Sequence, residues 1–397
     1  MNILLFNTGS SSLKFSVLNS DDASIRASGS ADWAGEQTCY CFTTPNTERS
    51  EEVDWLGPAN AVDRVLRDLR EHSSELFSGP DALAAVGHRV VHGGGFREAT
   101  RITPAVRDKL TELCQLAPLH NPPGLEAIDA ATTGLPDLPH VACFDTAFHH
   151  TMIPEAQTYP IPHEWTEQWK IRRYGFHGLS HSYCSARANE MLKPRSHPLR
   201  LVICHLGHGC SASAVRDGQC VETTMGFTPL EGLMMATRSG SIDPSVPLHL
   251  MQQHELTANE IGESLNRRSG MLGVSGISAD MRTVLKSAHD GHERAKLAIA
   301  MYCHRVRQTI GGFAATLGGI DALVFTAGVG EHSAEVRSTV SSGLEYLGLH
   351  LDSVRNLECL ADADISPVNS PGRILVIRTR EDLSMLRMTI QNVQDCQ

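Results

Sequence analysis

The sequence predicts an α/β protein of two domains. Three observations carry that expectation: short β-branched runs alternate with helical stretches along all 397 residues, no low-complexity linker interrupts them, and one strand–turn–strand unit occurs twice. A chain of this length, with 41% hydrophobic and 20% charged residues, has material for two domains that each bury a core, with a cleft between them as the first expectation.

The first copy of the repeated unit runs from Ile3 to Leu18, an apolar strand, a Gly and Ser turn, then an alternating strand. The second, Leu201 to Val215, has the same design and closes at Asp217-Gly218. Two copies suggest a duplicated fold. Small residues at Gly9, Ser10, Ser11 and Ser12 let backbone N–H groups converge on an anion, the hydroxyls add donors, and Lys14 adds a point charge. A single copy would read better as a plain tight hairpin; the second copy reverses that preference in favour of phosphate binding. Gly207, Gly209 and Ala212 also satisfy a loose dinucleotide fingerprint, but that motif needs a helix directly after the turn, whereas Ser211 to Val215 alternates as a strand does.

Further on, Glu293 to Leu317 reads as a long helix with apolar positions Leu297, Met301, Ile310, Phe313 and Leu317, stopped by Gly318 and Gly319. A strand at Ala322 to Phe325 leads into a glycine loop, Ala327-Gly328-Val329-Gly330, with Ser333 placed to cap the next helix. Such a surface suits a flat adenine, or is a simple βα turn. The last unit is a strand, Ile374 to Ile377, then Thr379-Arg380-Glu381-Asp382 and an amphipathic helix with Leu383, Leu386, Ile390 and Val393 on one face. Thr379 and Asp382 have capping-box spacing, and Glu381 alone reads as a first-turn acid that favours the helix dipole.

A formal charge of −11 and a pI near 6.0 leave no basic field for nucleic acid or an anionic membrane. The apolar start, MNILLFNTGS, stops at Asn7 without preceding basic residues, and no stretch reaches the roughly 18 residues of a span, so a cytoplasmic protein is expected. Eleven irregularly spaced cysteines fit reduced thiols, and the Cys39/Cys41 pair is a weak metal candidate. The 20 histidines show no metal-site spacing.

Four stretches place polar groups after apolar strands: His88-Arg89-Val90-Val91-His92-Gly93-Gly94; Asp145 in Ala142 to His149; His177 in Arg172 to Gly178; and Arg238 in Gly226 to Pro244. Asp145 alone also reads as an N-cap.

With these in view, the chain resembles the acetate kinase family, within the acetate and sugar kinase, Hsp70 and actin superfamily. The resemblance runs from NTGSSSLKF through HRVVHGG, APLHNPP, FDTAFH, RRYGFHGLSH, HLGHG, MGFTPLEGL, TRSGSIDP and FTAGVGE to TRED, in family order over nearly the whole chain. It implies a duplicated actin-like, ribonuclease H-like fold, with residues 1–147 plus 383–397 as one domain, 148–382 as the other, and a cleft whose closure excludes water. It implies reversible, direct in-line phosphoryl transfer from ATP to acetate, giving acetyl phosphate and ADP.

By the same resemblance, Arg89 and Arg238 match the substrate arginines, whose forks suit a carboxylate or a transferring phosphoryl. His177 matches the residue that stabilises the transition state. Asn7 and Glu381 match the Mg²⁺ site, where Mn²⁺ is an admissible substitute. Asp145 matches the essential aspartate; because acetate is already ionised near neutral pH, Asp145 is expected to orient an arginine or a metal-bound water. Val91, Leu119, His120, Phe176 and Pro229 match the acyl pocket. Ser10, Ser12 and Lys14, His205, Leu206, Gly207, His208 and Gly209, Asp280, Met281 and Arg282, and Gly328, Val329, Gly330, Glu331 and His332 match nucleotide-binding positions. Family members are homodimers, so the same is expected here.

Val91 agrees with the acetate branch, although an apolar pocket discriminates one methylene by only about 1–3 kcal/mol, which leaves propionate or butyrate as alternatives. A non-catalytic or ATPase-only superfamily member is the reading from another class. The family usually carries asparagine where this chain has His208 and often where it has His332. A protonated His208 in the phosphate turn would favour the donor at mildly acid pH. A pyrophosphate-using branch fills the adenosine pocket with bulky residues, whereas Gly328 and Val329 are small here.

Overall fold

A computed structural model describes residues 1–118, 120–192 and 197–395. They form two compact units, Met1–Phe148 with Arg380–Gln397, and His149–Thr379.

The first unit holds β1 (Asn2–Thr8), β2 (Ser12–Asn19), β3 (Ile25–Asp32), β4 (Thr38–Thr44), β5 (Thr47–Val53), β6 (Leu83–Val90), β7 (Thr100–Arg101) and β8 (His140–Phe144). They make one sheet in the order β5-β4-β3-β2-β1-β6-β8-β7. β1 is buried at nearly every position because helices cover both its faces. Leu4, Phe6 and Val86 join one core with Ala61, Val65 and Leu69 of the helix Pro58–His72 and Ala127 and Ala131 of the helix Asn121–Gly134. The opposite face meets the helix Glu381–Gln394, and it comes so close that a Cβ on Gly87 would lie 2.5 Å from Thr389 Oγ1.

The second unit holds β9 (Arg200–Leu206), β10 (Cys210–Arg216), β11 (Gln219–Thr223), β12 (Ala322–Thr326), β13 (Ala363–Asp364) and β14 (Arg373–Val376), in the order β11-β10-β9-β12-β14-β13. The succession β3-β2-β1-β6-β8 of the first sheet recurs here as β11-β10-β9-β12-β14. In both, three antiparallel strands are followed by two parallel to the first. The duplication expected from the two hairpins therefore extends to whole sheets. Residues after Gly209 form β10 and not a helix, which removes the dinucleotide-fingerprint reading.

The helix Glu293–Leu317 has the expected bounds and ends at Gly318 with φ 70°. Its buried stripe is Ala298, Tyr302, Val306, Ile310 and Phe313, so Leu297, one residue off that stripe, is 54% exposed and does not belong to the core. Two local expectations are corrected. Ala327–His332 is a short helix and not an open glycine loop, followed by the helix Ala334–Ser341, which Ser333 caps through the Val336 N–H. Thr379 and Asp382 form no capping box: Thr379 donates its hydroxyl to Ser180, Asp382 pairs with Arg380, and the last helix starts at Glu381 without a side-chain cap. Cys39 and Cys41 are free thiols. Among the described residues, no helix is long and apolar enough to cross a membrane.

Candidate active site

In the first unit the central parallel strands end in polar residues. Asn7 lies near the end of β1, Arg89 near the end of β6 and Asp145 just beyond β8, and Glu381 opens the final helix. Carboxyl ends of neighbouring strands are where α/β sheets gather ligand-binding groups. These four residues form one chain of hydrogen bonds. Arg89 donates Nη2 and Nε to Asp145 Oδ2 at 2.5 and 3.1 Å and Nη1 to Asn7 Oδ1 at 3.0 Å, while Asn7 Nδ2 donates to Glu381 Oε2 at 2.9 Å. Burial opposes the Arg89 charge, but Asp145 and then Glu381 outweigh it and hold the guanidinium pKa above its ordinary value.

Asp145 is fully buried, and its Oδ1 has no hydrogen-bond partner among the described residues. A desolvated carboxylate oxygen without a donor is costly unless a bound group completes it. With Glu381 and the Asn7 amide it makes an all-oxygen donor set, which fits a hard divalent cation and its waters. The Asn7 oxygen faces Arg89, so the amide has to turn to offer it.

The loop after β6 is pinned by residues that strand reading alone did not single out. Asn121 accepts from the His92 N–H and donates to the His92 carbonyl, both at 3.0 Å, and Thr146 accepts from the Gly93 N–H. Val91 is buried and His120 partly so beside this loop's anchor; Leu119 lies outside the described residues. In the first hairpin the Gly9 N–H reaches the Ser12 carbonyl at 2.7 Å, Ser10 and Lys14 are exposed, and Ser12 is half-buried.

The second unit carries the other group. His177 caps the helix Gly178–Met191 in a left-handed conformation, φ 58°. Left-handed backbone at a non-glycine residue is uncommon and persists where the surroundings enforce it. Its ring stacks on His205 with centroids 4.2 Å apart. Gly209 permits this arrangement: a Cβ there would lie 3.2 Å from His177 Nε2 and 3.8 Å from Arg238 Nη1. Arg238 donates to the Pro229 carbonyl at 3.3 Å and has no carboxylate partner among the described residues. Burial lowers its pKa from the ordinary value. Phe176 is fully buried and Pro229 half-buried.

Next to the second hairpin turn is a cavity of about 1050 Å³ lined by Gly207, His208, Met235, Met271, Asp280, Met281, Arg282, Tyr302, Gly328, Val329 and His332, among others. Its apolar walls and few polar groups suit a purine. Asp280 caps the helix Met281–His289, and its bond from Arg282 holds its pKa at about 2. Burial, then Arg238, pushes the His208 pKa down, so the imidazole is neutral at pH 7 and takes a proton only below the usual histidine range. Leu206 and Glu331 do not line this cavity. Leu206 is wholly buried in β9, and the Glu331 carboxylate accepts the N–H groups of Ala327 and Thr379, each at 2.9 Å. Behind them Arg337, fully buried, holds the Gly330 and Glu331 carbonyls and Asn356. No local sequence signal marks Arg337, because its partners are backbone carbonyls and the side chain of the distant Asn356.

Comparison with known proteins shows the family of the chain. Residues 2–387 match the model of the acetokinase family. An acetate kinase of Rippkaea orientalis is 46% identical over 393 residues, 96% of this chain and 97% of that protein. The crystal structure of Porphyromonas gingivalis acetate kinase superposes with a TM-score of 0.91 at 38% identity, covering 99% of both chains. That of a propionate kinase from Francisella tularensis also gives 0.91, at 37% identity, covering 98% of this chain and 99% of that one. The chain belongs to the acetokinase family.

Proposed function

We propose that the protein transfers the terminal phosphoryl group of ATP to acetate, giving acetyl phosphate and ADP, and runs the reaction in both directions. The observation that carries this reading is Arg238. A partly buried guanidinium with no carboxylate partner among the described residues, beside the His177 ring across Gly209, is a cation arranged for an incoming anion.

An acetate oxygen attacks the γ-phosphorus, its new P–O bond forms as the bond to the β-phosphate oxygen breaks, and ADP leaves with that electron pair. Arg238 and His177 stabilise the charge on the transferring oxygens. Arg89, held by Asp145, binds carboxylate or phosphoryl oxygen through its fork. Asp145 removes no proton, since acetate has none to lose near neutral pH. The Asp280–Arg282 helix and the Gly328–His332 segment hold the nucleoside in the cavity between them. Asn7, Glu381 and the open Asp145 oxygen would hold Mg²⁺, which neutralises phosphate charge when bound. Family membership further supports a homodimer.

A hydroxylamine trap tests the reading. Purified protein with Mg²⁺ and ATP should give acyl hydroxamate with acetate, less with propionate and little with butyrate, and none with pyrophosphate as donor. No hydroxamate with any pair would leave an ATPase or binding protein as the better description.

A further inference from the structure

The second unit contains a hydrogen-bond relay whose proton count determines the state of His177. Ser211 Oγ, fully buried, sits 2.9 Å from His177 Nδ1 and 2.7 Å from His181 Nε2. A hydroxyl can accept twice but donate only once, and among the described residues these two imidazoles are the partners of Ser211 Oγ, so it donates to one and accepts from the other. His181 decides which. It is fully buried, and its Nδ1 has no hydrogen-bond partner among the described residues. A buried N–H without an acceptor is rarer and costlier than a lone pair without a donor, so the single proton of neutral His181 lies on Nε2 and goes to Ser211. Ser211 then donates to His177 Nδ1, and the proton of His177 is left on Nε2, the nitrogen nearest Gly209.

His205 has a parallel arrangement. Thr379 donates to Ser180 at 3.0 Å, Ser180 lies 2.8 Å from His205 Nδ1, and the His205 ring stacks on His177. With the Ser180 oxygen accepting from Thr379, its own proton is available to His205 Nδ1, and in that arrangement the ring proton is again on Nε2.

We propose that Ser211 and His181 are positioning residues that hold His177 as the neutral Nε2–H tautomer, so that it acts as a hydrogen-bond donor to the transferring phosphoryl group and not as an acid. The donor role rests on the function proposed above; the tautomer does not. The groups facing His177 also oppose a second proton: His205 is stacked on it, Arg238 lies across Gly209, and His181 stands behind Ser211 with His149 against it at 5.6 Å. Burial, then His149 and His205, hold the His181 pKa well below the usual value, which keeps that ring neutral and the proton count intact.

The test is ¹⁵N NMR of the full-length protein labelled at histidine, with His177 assigned through His177→Gln. The expected result is a proton on Nε2 and a hydrogen-bonded acceptor at Nδ1 from pH 6 to 8. In Ser211→Ala, His177 should populate both tautomers, and kcat should fall about tenfold or more with KM little changed. That variant's kcat should also gain a pH-dependent limb near neutrality, and Ser211→Thr should restore both magnitude and profile. A proton on His177 Nδ1 in the unmodified protein, or a Ser211→Ala variant with an unchanged pH profile, would overturn the relay. If Ser211→Ala does not fold, the wild-type tautomer decides alone. The expected tautomer in a protein that makes no acyl phosphate would sink the proposed function and leave the relay standing.

Discussion

Two arginines stand in opposite electrostatic states, and each state has a consequence. Arg89 is balanced by Asp145, so its orientation is set before any ligand arrives. Among the described residues Arg238 bonds only a carbonyl, and burial lowers its pKa, so an anion gains more there than at an already paired site. Arg238→Ala is therefore expected to lower kcat on the order of 10²- to 10³-fold, measured by steady-state kinetics in both directions, with a much smaller change in nucleotide KM. For His208, the acid-side gain in donor affinity is expected at lower pH than the sequence alone suggested. Because burial and then Arg238 lower its pKa, ATP affinity should stay level from pH 8 to 6.5 and change only below. Calorimetric titration across that range, with His208→Asn as control, checks this; a rise in affinity already between pH 7.5 and 6.5 would contradict it. At this scale the sequence identified charged residues after apolar strands, because strand ends are legible from pattern. It did not show that Asn121 and Thr146 pin the loop after β6, or that Ser211 links His177 to His181, since hydroxyls and amides in a core leave no periodic trace.

The elements around the cavity show where local pattern fails. A run of two glycines and small residues after β12 reads as a loop, yet Ala327–His332 is helical because tertiary bonds replace weak propensity. Glu331 binds the N–H groups of Ala327 and Thr379, and Arg337 binds the carbonyls of Gly330 and Glu331. Thr379 is drawn to Ser180 and so is absent from the helix cap its spacing suggested. Arg337→Met should leave those carbonyls and Asn356 unpaired, which costs roughly 3 kcal/mol or more of stability. It should also raise the nucleotide KM while leaving the acetate KM nearly unchanged. Denaturant melts and separate substrate titrations measure the two effects, and a stable variant with normal nucleotide KM would refute the clamp. By contrast, the bounds of the helix Glu293–Leu317 and its glycine stop were legible, whereas the N-terminal half of its buried stripe was misplaced onto Leu297 and Met301.

For the whole molecule, the repeated hairpin was the readable sign of two sheets with one strand order. The core also contains neutral histidines that composition alone could not place. His88 and His140 share a 2.9 Å hydrogen bond inside the first unit, and burial holds both pKa values down, His88 well below the usual. In the second unit burial lowers His149 to about 4 and His181 further than usual as well. Each is depressed in the folded chain, so nothing is lost above the unfolded value of about 6.5. As the pH falls below that, the unfolded chain takes protons the folded one refuses, and stability drops until the folded pKa is reached. For His149 alone this amounts to on the order of 3 kcal/mol. Thermal melts should show a steep fall in midpoint between pH 6.5 and 4.5 and little change between 7 and 8.

Whether the phosphoryl group goes to a carboxylate or to water is read by ³¹P NMR of the protein with Mg²⁺, ATP and acetate. Growth of an acetyl phosphate resonance in step with ADP, absent without acetate, is the predicted result. ADP accompanied by inorganic phosphate alone, at the same rate with or without acetate, would contradict it.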